Sequence, residues 1–223
     1  MSLPRRHQQS PVPFSHSPFS FLRVYDLCMN DIAGFVLAGG QSSRMGVDKA
    51  FIQWQGSTLL QRSLDLLSGV APRVAIVGPA QKFSAYGTVV EDQFLGRGPL
   101  AGIHAALRSP IAADFNLIVA VDIPLLSEAF LRFLLEQAVA SRSAATVPRT
   151  SEGWQPLCAV YRREFAELAD AALRLGRNKI DPLFADLELR VIQDNELRNF
   201  SFSPDIFRNI NTPEDLQHAG GTA

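Results

Sequence analysis

The chain has 223 residues, which at about 150 residues per domain leaves room for one medium-sized domain and no second large one. Hydrophobic residues make up 47% and charged residues 19%, with 15 Gly and 14 Pro; such a composition excludes a collagen-like or wholly disordered chain. Lys plus Arg number 21 and Asp plus Glu 22, for a net charge of −1, so there is no broad positive field for nucleic acid and an anionic ligand must be held by a few local groups. Cys28 and Cys158 form neither a disulfide framework nor a metal-ligand spacing, and they read as thiols of a reducing, cytoplasmic compartment. The longest apolar run, Phe115 to Leu126, is broken by Asp122 and Pro124 and falls short of the roughly 18 residues of a membrane span. No membrane partner is expected.

Residues 1–28 interleave Pro4, Pro11, Pro13 and Pro18 with Ser10, Ser15, Ser17 and Ser20 without periodicity, which predicts a flexible tail. Met29 stands directly before the first strand pattern and reads as an alternative start. The remainder, 29–223, is expected to form one domain. Ile32 to Leu37 is a short apolar run ending at Gly39-Gly40, the pattern of a buried strand. Leu59, Leu60, Leu64 and Leu67 predict a helix over 58–67 with Ser57 as its N-cap. Strands follow at 73–77, closed by Gly78-Pro79, and at 88–90. Pro99 suits the first turn of a helix over 99–107. Asn116 to Val121 is the most hydrophobic strand and is expected at the sheet centre. A helix capped by Ser127 runs to Val139, a strand covers 144–147, another 156–161, a helix 164–175 and a strand 189–192. Thr212, Pro213 and Asp215 read as the N-cap, first turn and capping-box acid of a last helix. Strands alternating with helices at this rhythm predict an α/β fold with a mostly parallel central sheet and right-handed crossovers.

In such sheets ligands bind beyond the carboxyl ends of the strands. The first strand there delivers Leu37-Ala38-Gly39-Gly40, then Arg44 and Lys49. Glycines bring bare N–H groups against phosphate oxygens, an arginine grips a phosphate through its fork, and a lysine supplies a compact charge. The loop suits a polyphosphate, although G-x-G-x-x-G and G-x-x-x-x-G-K-[ST] are both absent; a glycine turn followed by solvated basic residues is the plainer alternative. Asp122, at the end of the most buried strand, is a hard carboxylate suited to Mg²⁺ bridging phosphates; a turn-capping aspartate before Pro124 is the plainer alternative. Asp92 closes the 88–90 strand and is expected at the same edge, with a solvated acidic pair Glu91-Asp92 as the alternative. His104, inside a predicted helix, reads as structural.

The run LAGGQSSRMGVDK, from Leu37 to Lys49, resembles the signature of the molybdenum cofactor guanylyltransferases (MobA). So do GPLAG at 98–102, VDIP at 121–124, QPL at 155–157 and NINTPEDL at 209–216, in family order from Ile32 to Gln217. The resemblance implies a Rossmann-like three-layer nucleotidyltransferase fold, with GTP and molybdopterin as substrates, GMP joined to the pterin's terminal phosphate, and pyrophosphate released. It implies Mg²⁺ as cofactor, held by Asp122. Leu37, Ala38, Gly39 and Gly40 match the nucleotide-contacting loop and Lys49 the phosphate-binding lysine. Asp92 matches a GTP-contacting aspartate, and Asn209 and Asn211 match a motif facing the pterin. Arg44, Lys49 and Asp122 are the expected catalytic residues. Molybdopterin-transfer proteins and apo-molybdoenzymes are the implied protein partners. A cytidylyltransferase acting on molybdopterin, or a non-catalytic nucleotide or cofactor carrier, would share these phosphate contacts. Two departures stand out: Val77-Gly78-Pro79 replaces a segment where many relatives carry a nucleotide-contacting asparagine, and Asn178 stands where an arginine is common, between Arg177 and Lys179.

Overall fold

A computed structural model describes residues 29–39, 48–210 and 215. The expected tail, Gly40, Arg44, Asn211 and the predicted cap at Thr212-Pro213 lie outside the described residues. After a 3₁₀ turn at Met29–Asp31, strand β1 spans Ile32–Leu37. A second 3₁₀ turn, Lys49–Phe51, leads into the hairpin β2 (Gln53–Trp54) and β3 (Ser57–Thr58), followed by helix α1 (Leu59–Ser68). Then come β4 (Val74–Val77), the short α2 (Ala80–Phe83), β5 (Val89–Val90), α3 (Pro99–Arg108), β6 (Phe115–Ala120) and α4 (Glu128–Ser141). The last part holds β7 (Ala145–Thr150), β8 (Gly153–Trp154), β9 (Cys158–Arg162), α5 (Phe165–Arg174), β10 (Leu189–Gln193) and α6 (Asp194–Asn199).

The main sheet runs β10-β7-β9-β6-β1-β4-β5, with β8 paired to β7. The strand expected at the centre is there. Strands β6, β1, β4 and β5 are mutually parallel, as are β7 and β10, whereas β9 runs antiparallel to both β6 and β7. The reason is chain length: only residues 151–157 join β7 to β9, and a parallel return needs a crossover of about a dozen residues.

Side chains alternate across the sheet as a period of two requires. Ile32 and Val36 of β1 pack with Leu117 and Val119 of β6 against Leu60 and Leu67 of α1 and Phe130 and Leu134 of α4. On the opposite face, Phe35 and Ile118 meet Leu100 and Ile103 of α3 and Phe165 and Ala169 of α5. These side chains are at most 2% exposed, and each such Leu, Ile or Phe contributes about 1.5–3 kcal/mol of transfer free energy. Three layers result, helix on sheet on helix.

The N-cap of α1 is Thr58, whose hydroxyl accepts from Gln61 N at 3.1 Å. Ser57, the expected cap, belongs instead to the β2–β3 hairpin. That hairpin turns on Gln55 and Gly56, at φ 48° and 86°, the two left-handed residues of a tight reversal. Glutamine in place of the usual Asn or Asp hides the turn from sequence inspection.

Candidate active site

The end of β1 is wedged between its neighbours. Leu37 O accepts from Val121 N at 3.2 Å on one side, and Ala38 N donates to Val77 O at 3.0 Å on the other. Gly39 then lies against the backbone of Gly78, so close that a β-carbon on Gly39 would sit 3.4 Å from Gly78 Cα. Leu37, Ala38 and Gly39 therefore reach the carboxyl edge between the ends of β4 and β6.

Asp122 leaves β6 at that same edge. Lys49, carried by the 3₁₀ turn whose N-cap is Asp48, donates from Nζ to Asp122 Oδ2 at 2.7 Å, across 73 residues of chain. Their side chains are 20% and 19% exposed, so the pair is half-sheltered at the rim and open to a ligand. The sequence placed both residues at a phosphate site; it contains nothing to show that they touch. The main chain of Asp122 is held as well, because Ile210 N donates to Asp122 O at 2.9 Å. That bond brings Asn209, half of the predicted terminal pair, to the Asp122 turn.

Beyond Asn209 opens a cleft of about 720 Å³ whose lining includes Thr150, Ser151, Gln155, Arg198, Arg208 and Asn209. The volume is within the range of small-molecule sites, and the lining is polar. Gln155, from the QPL segment, therefore faces the same space as Asn209. The arginines Arg198 and Arg208, which sequence reasoning did not single out, share that lining with the acids Glu152, Asp205 and Asp215, so the cleft is charged with both signs.

Asp92 sits at the same edge but elsewhere along it. It follows β5, three strand spacings of about 4.8 Å from β6, so roughly 14 Å separates the two strand ends. Its Oδ1 accepts from Phe94 N at 2.7 Å, closing the turn that starts the 92–98 loop. Glu91 accepts from Ala80 N at 2.8 Å and caps α2. The acidic pair is thus partly structural, and Asp92 and Asp122 stand apart along the edge.

The segment where an asparagine was missing has a steric explanation. A β-carbon on Gly78 would lie 2.7 Å from the Phe83 ring, and Phe83 is fully buried. This chain has filled the space from α2, so a side chain at 78 requires the ring to move. Gly78→Ala is expected to destabilise the protein by about 1–3 kcal/mol, the range for overpacking a filled core; a chemical-denaturation midpoint equal to that of the parent protein contradicts the contact. The other departure, Asn178, follows the C-terminus of α5, where Arg97 Nη1 comes within 3.7 Å of the point a β-carbon on Gly176 would occupy. Arg177 and Lys179 are both exposed there.

Further groups escaped the sequence reading. Asp48 Oδ1 accepts from Ala50 N at 3.0 Å, while its other oxygen pairs with Lys82 of α2. Lys82 lies 4.8 Å from the Phe83 ring centroid, and desolvation pushes its pKa below the ordinary value. Only the Asp-Lys of the motif signalled Asp48; nothing signalled Lys82. His104 is 2% exposed between α3 and α5, with Nε2 at 3.5 Å from Asp170 Oδ1 and its ring edge-on to Phe94. Burial lowers its pKa more than Asp170 raises it. It is packing, as expected. Among the described residues no group of three or more His, Cys, Asp or Glu could hold a metal by itself, and no helix is long and apolar enough to cross a membrane.

A mixed, largely parallel sheet with helices packed on both faces is the architecture of an α/β nucleotidyltransferase fold. The chain belongs to the family of the MobA-like NTP transferase domain, whose sequence model matches residues 34–191. It is 35% identical over 196 residues to the molybdenum cofactor guanylyltransferase of Desulfosudis oleivorans, covering 86% of this chain and 95% of that one. It is 33% identical over 193 residues to the probable molybdenum cofactor guanylyltransferase of Pelotomaculum thermopropionicum, covering 86% and 93%. The crystal structure of molybdopterin-guanine dinucleotide biosynthesis protein A from Archaeoglobus fulgidus superposes with a TM-score of 0.73 at 29% identity, over 84% of this chain and 96% of that one.

Proposed function

We propose that the protein transfers GMP from GTP to the terminal phosphate of molybdopterin, or of its molybdenum-loaded form, and releases pyrophosphate. The names and near-full-length coverage of its relatives support the reaction. The observation that carries it is the Lys49–Asp122 pair at 2.7 Å, set between the glycine loop and the cleft beside Asn209. An oxygen of the pterin phosphate attacks the α-phosphorus of GTP; the new P–O bond forms as the bond to the bridging α–β oxygen breaks, and its electron pair leaves with pyrophosphate. The attacking oxygen is already ionised, so no general base is needed, and alignment with charge neutralisation supplies the catalysis.

Each residue then has a task. The backbone of Leu37, Ala38 and Gly39 lines the nucleotide, and Gly40 and Arg44 are assigned to the phosphates by residue type alone. Lys49 neutralises charge accumulating on the leaving phosphates. Asp92 contacts the nucleoside end, and Asn209 and Asn211 orient the pterin. Asp122 has the donor chemistry of a Mg²⁺ ligand: one hard carboxylate at the rim, with phosphate oxygens and waters left to complete the shell, which is how Mg²⁺ is usually held at nucleotides. When bound there, Mg²⁺ supplies a Lewis acid at the phosphates. With no side chain at Gly78, base selection falls to main-chain groups at that point. The reading also places the enzyme in the cytoplasm, with GTP and its protein partners.

Pyrophosphate release on mixing the protein with molybdopterin, Mg²⁺ and either GTP or CTP tests this. We expect release with GTP at a rate at least tenfold above that with CTP. Faster release with CTP makes the protein a cytidylyltransferase, and nucleotide binding without release makes it a carrier; either overturns the assignment.

A further inference from the structure

Arg62 lies on α1, outside every motif of the site, yet its side chain touches the supports of both charged residues in it. Nε donates to Pro124 O at 2.7 Å. Pro124 is buried and stands two residues beyond Asp122. The guanidinium lies over the indole of Trp54, with Cζ 4.4 Å from the ring centroid. Trp54 is 3% exposed and belongs to the hairpin that directly follows the Lys49 turn; Leu59 N→Ile52 O at 3.0 Å ties the C-cap of that turn to the start of α1.

Resting on the reading that Lys49 and Asp122 handle the triphosphate, we propose that Arg62 is a positioning residue that fixes the distance between them. One flat side chain is stacked on the segment behind Lys49 and hydrogen-bonded to the segment behind Asp122. Ile210 N holds the Asp122 turn at a different carbonyl, so the turn is fixed at two points two residues apart. The task requires arginine rather than positive charge alone. Its acceptor is a neutral carbonyl, and only a planar guanidinium can lie on an indole while an in-plane Nε–H points sideways. Burial against these partners lowers the Arg62 pKa, a penalty that an exposed surface arginine would not bear.

The test compares Arg62→Ala and Arg62→Lys with the parent protein in two measurements: steady-state GMP transfer, and binding of Mn²⁺–GTP followed by electron paramagnetic resonance without pterin. A misplacement of about 1 Å costs up to roughly 10²-fold in rate. For Arg62→Ala we therefore expect kcat to fall about 10- to 100-fold, Mn²⁺–GTP to bind several-fold more weakly, and KM for the pterin to stay within about twofold. Arg62→Lys is expected to recover the thermal midpoint but not kcat, because the stem packs and the fork is gone. If Arg62→Ala does not fold, Trp54→Phe keeps the arginine over a smaller ring and must shift both readouts in the same direction. Unchanged kcat and Mn²⁺–GTP affinity in the alanine variant, or full activity in the lysine variant, overturns the proposal. A parent protein that binds Mn²⁺–GTP yet releases no pyrophosphate sinks the transferase reading by itself, since the binding titration reports on Arg62 without turnover.

Discussion

Asp122→Asn is expected to reduce kcat for GMP transfer by about 10²–10³-fold, equivalent to roughly 2.7–4 kcal/mol of transition-state stabilisation. Asparagine keeps the volume, and its amide oxygen can still accept from Lys49, so the wedge at the ends of β1 and β6 stays in place. What disappears is a full negative charge on a hard oxygen, and on the proposed reading a neutral amide cannot replace that carboxylate as a ligand for Mg²⁺, a small cation that sheds its waters reluctantly. The loss therefore belongs in kcat, with KM for the pterin little changed, since the Asn209 cleft is untouched. Raising Mg²⁺ tenfold recovers part of the loss if Asp122 acts through the cation and none if it serves only to hold Lys49. The fold control is calorimetric. A domain of this size shifts by about 2–4 °C per kcal/mol, and a part-exposed pair at the rim is worth little net stability, so a midpoint more than about 4 °C below the parent value assigns the effect to folding. Near-normal GMP transfer with Mg²⁺ present contradicts the assignment of Asp122 outright.

The carboxyl-edge location of this site was legible because it rests on local signals. Ile32–Leu37 and Phe115–Ala120 are buried on both faces, and such strands read as continuous apolar runs. Pro99 marked the start of α3 and Ser127 the cap of α4, whose hydroxyl accepts from Phe130 N at 3.2 Å. The antiparallel course of β9 was not legible, because strand direction depends on the length of the connection and not on the strand's own residues. The hairpin at 53–58 was lost for the same kind of reason: two-residue strands carry no period. At the site, the residue types of Lys49 and Asp122 gave the chemistry, but their 2.7 Å contact arises from a crossover spanning 73 residues. Gly78 appeared only as a departure; its cause, the Phe83 ring, comes from the following helix. Arg62 left no trace, since one arginine on an amphipathic helix looks like any solvated charge until its acceptor and its indole are seen.

Lys49→Ala carries the second large effect, and it separates two roles that one contact can play. If Lys49 neutralises the departing phosphates, kcat/KM for GTP falls by at least about 10²-fold while KM for the pterin holds. Lys49→Arg recovers only part, because a fork on a longer stem replaces a compact charge at a fixed distance from Asp122. Were Lys49 merely the structural partner of Asp122, its removal would leave a half-sheltered carboxylate without that hydrogen bond and would register chiefly in the thermal midpoint. The double variant Lys49→Ala/Asp122→Asn shows whether the two residues act through their contact or separately. Two groups acting on one transition state as a unit are strongly non-additive. The double variant is then expected to be little slower than the worse single one, short of the roughly 10⁴-fold or greater loss that independent effects of about 10²-fold each would give. Full additivity in kcat/KM for GTP, measured at saturating pterin and Mg²⁺, would show that the 2.7 Å contact is incidental to the chemistry and that each residue meets the nucleotide separately.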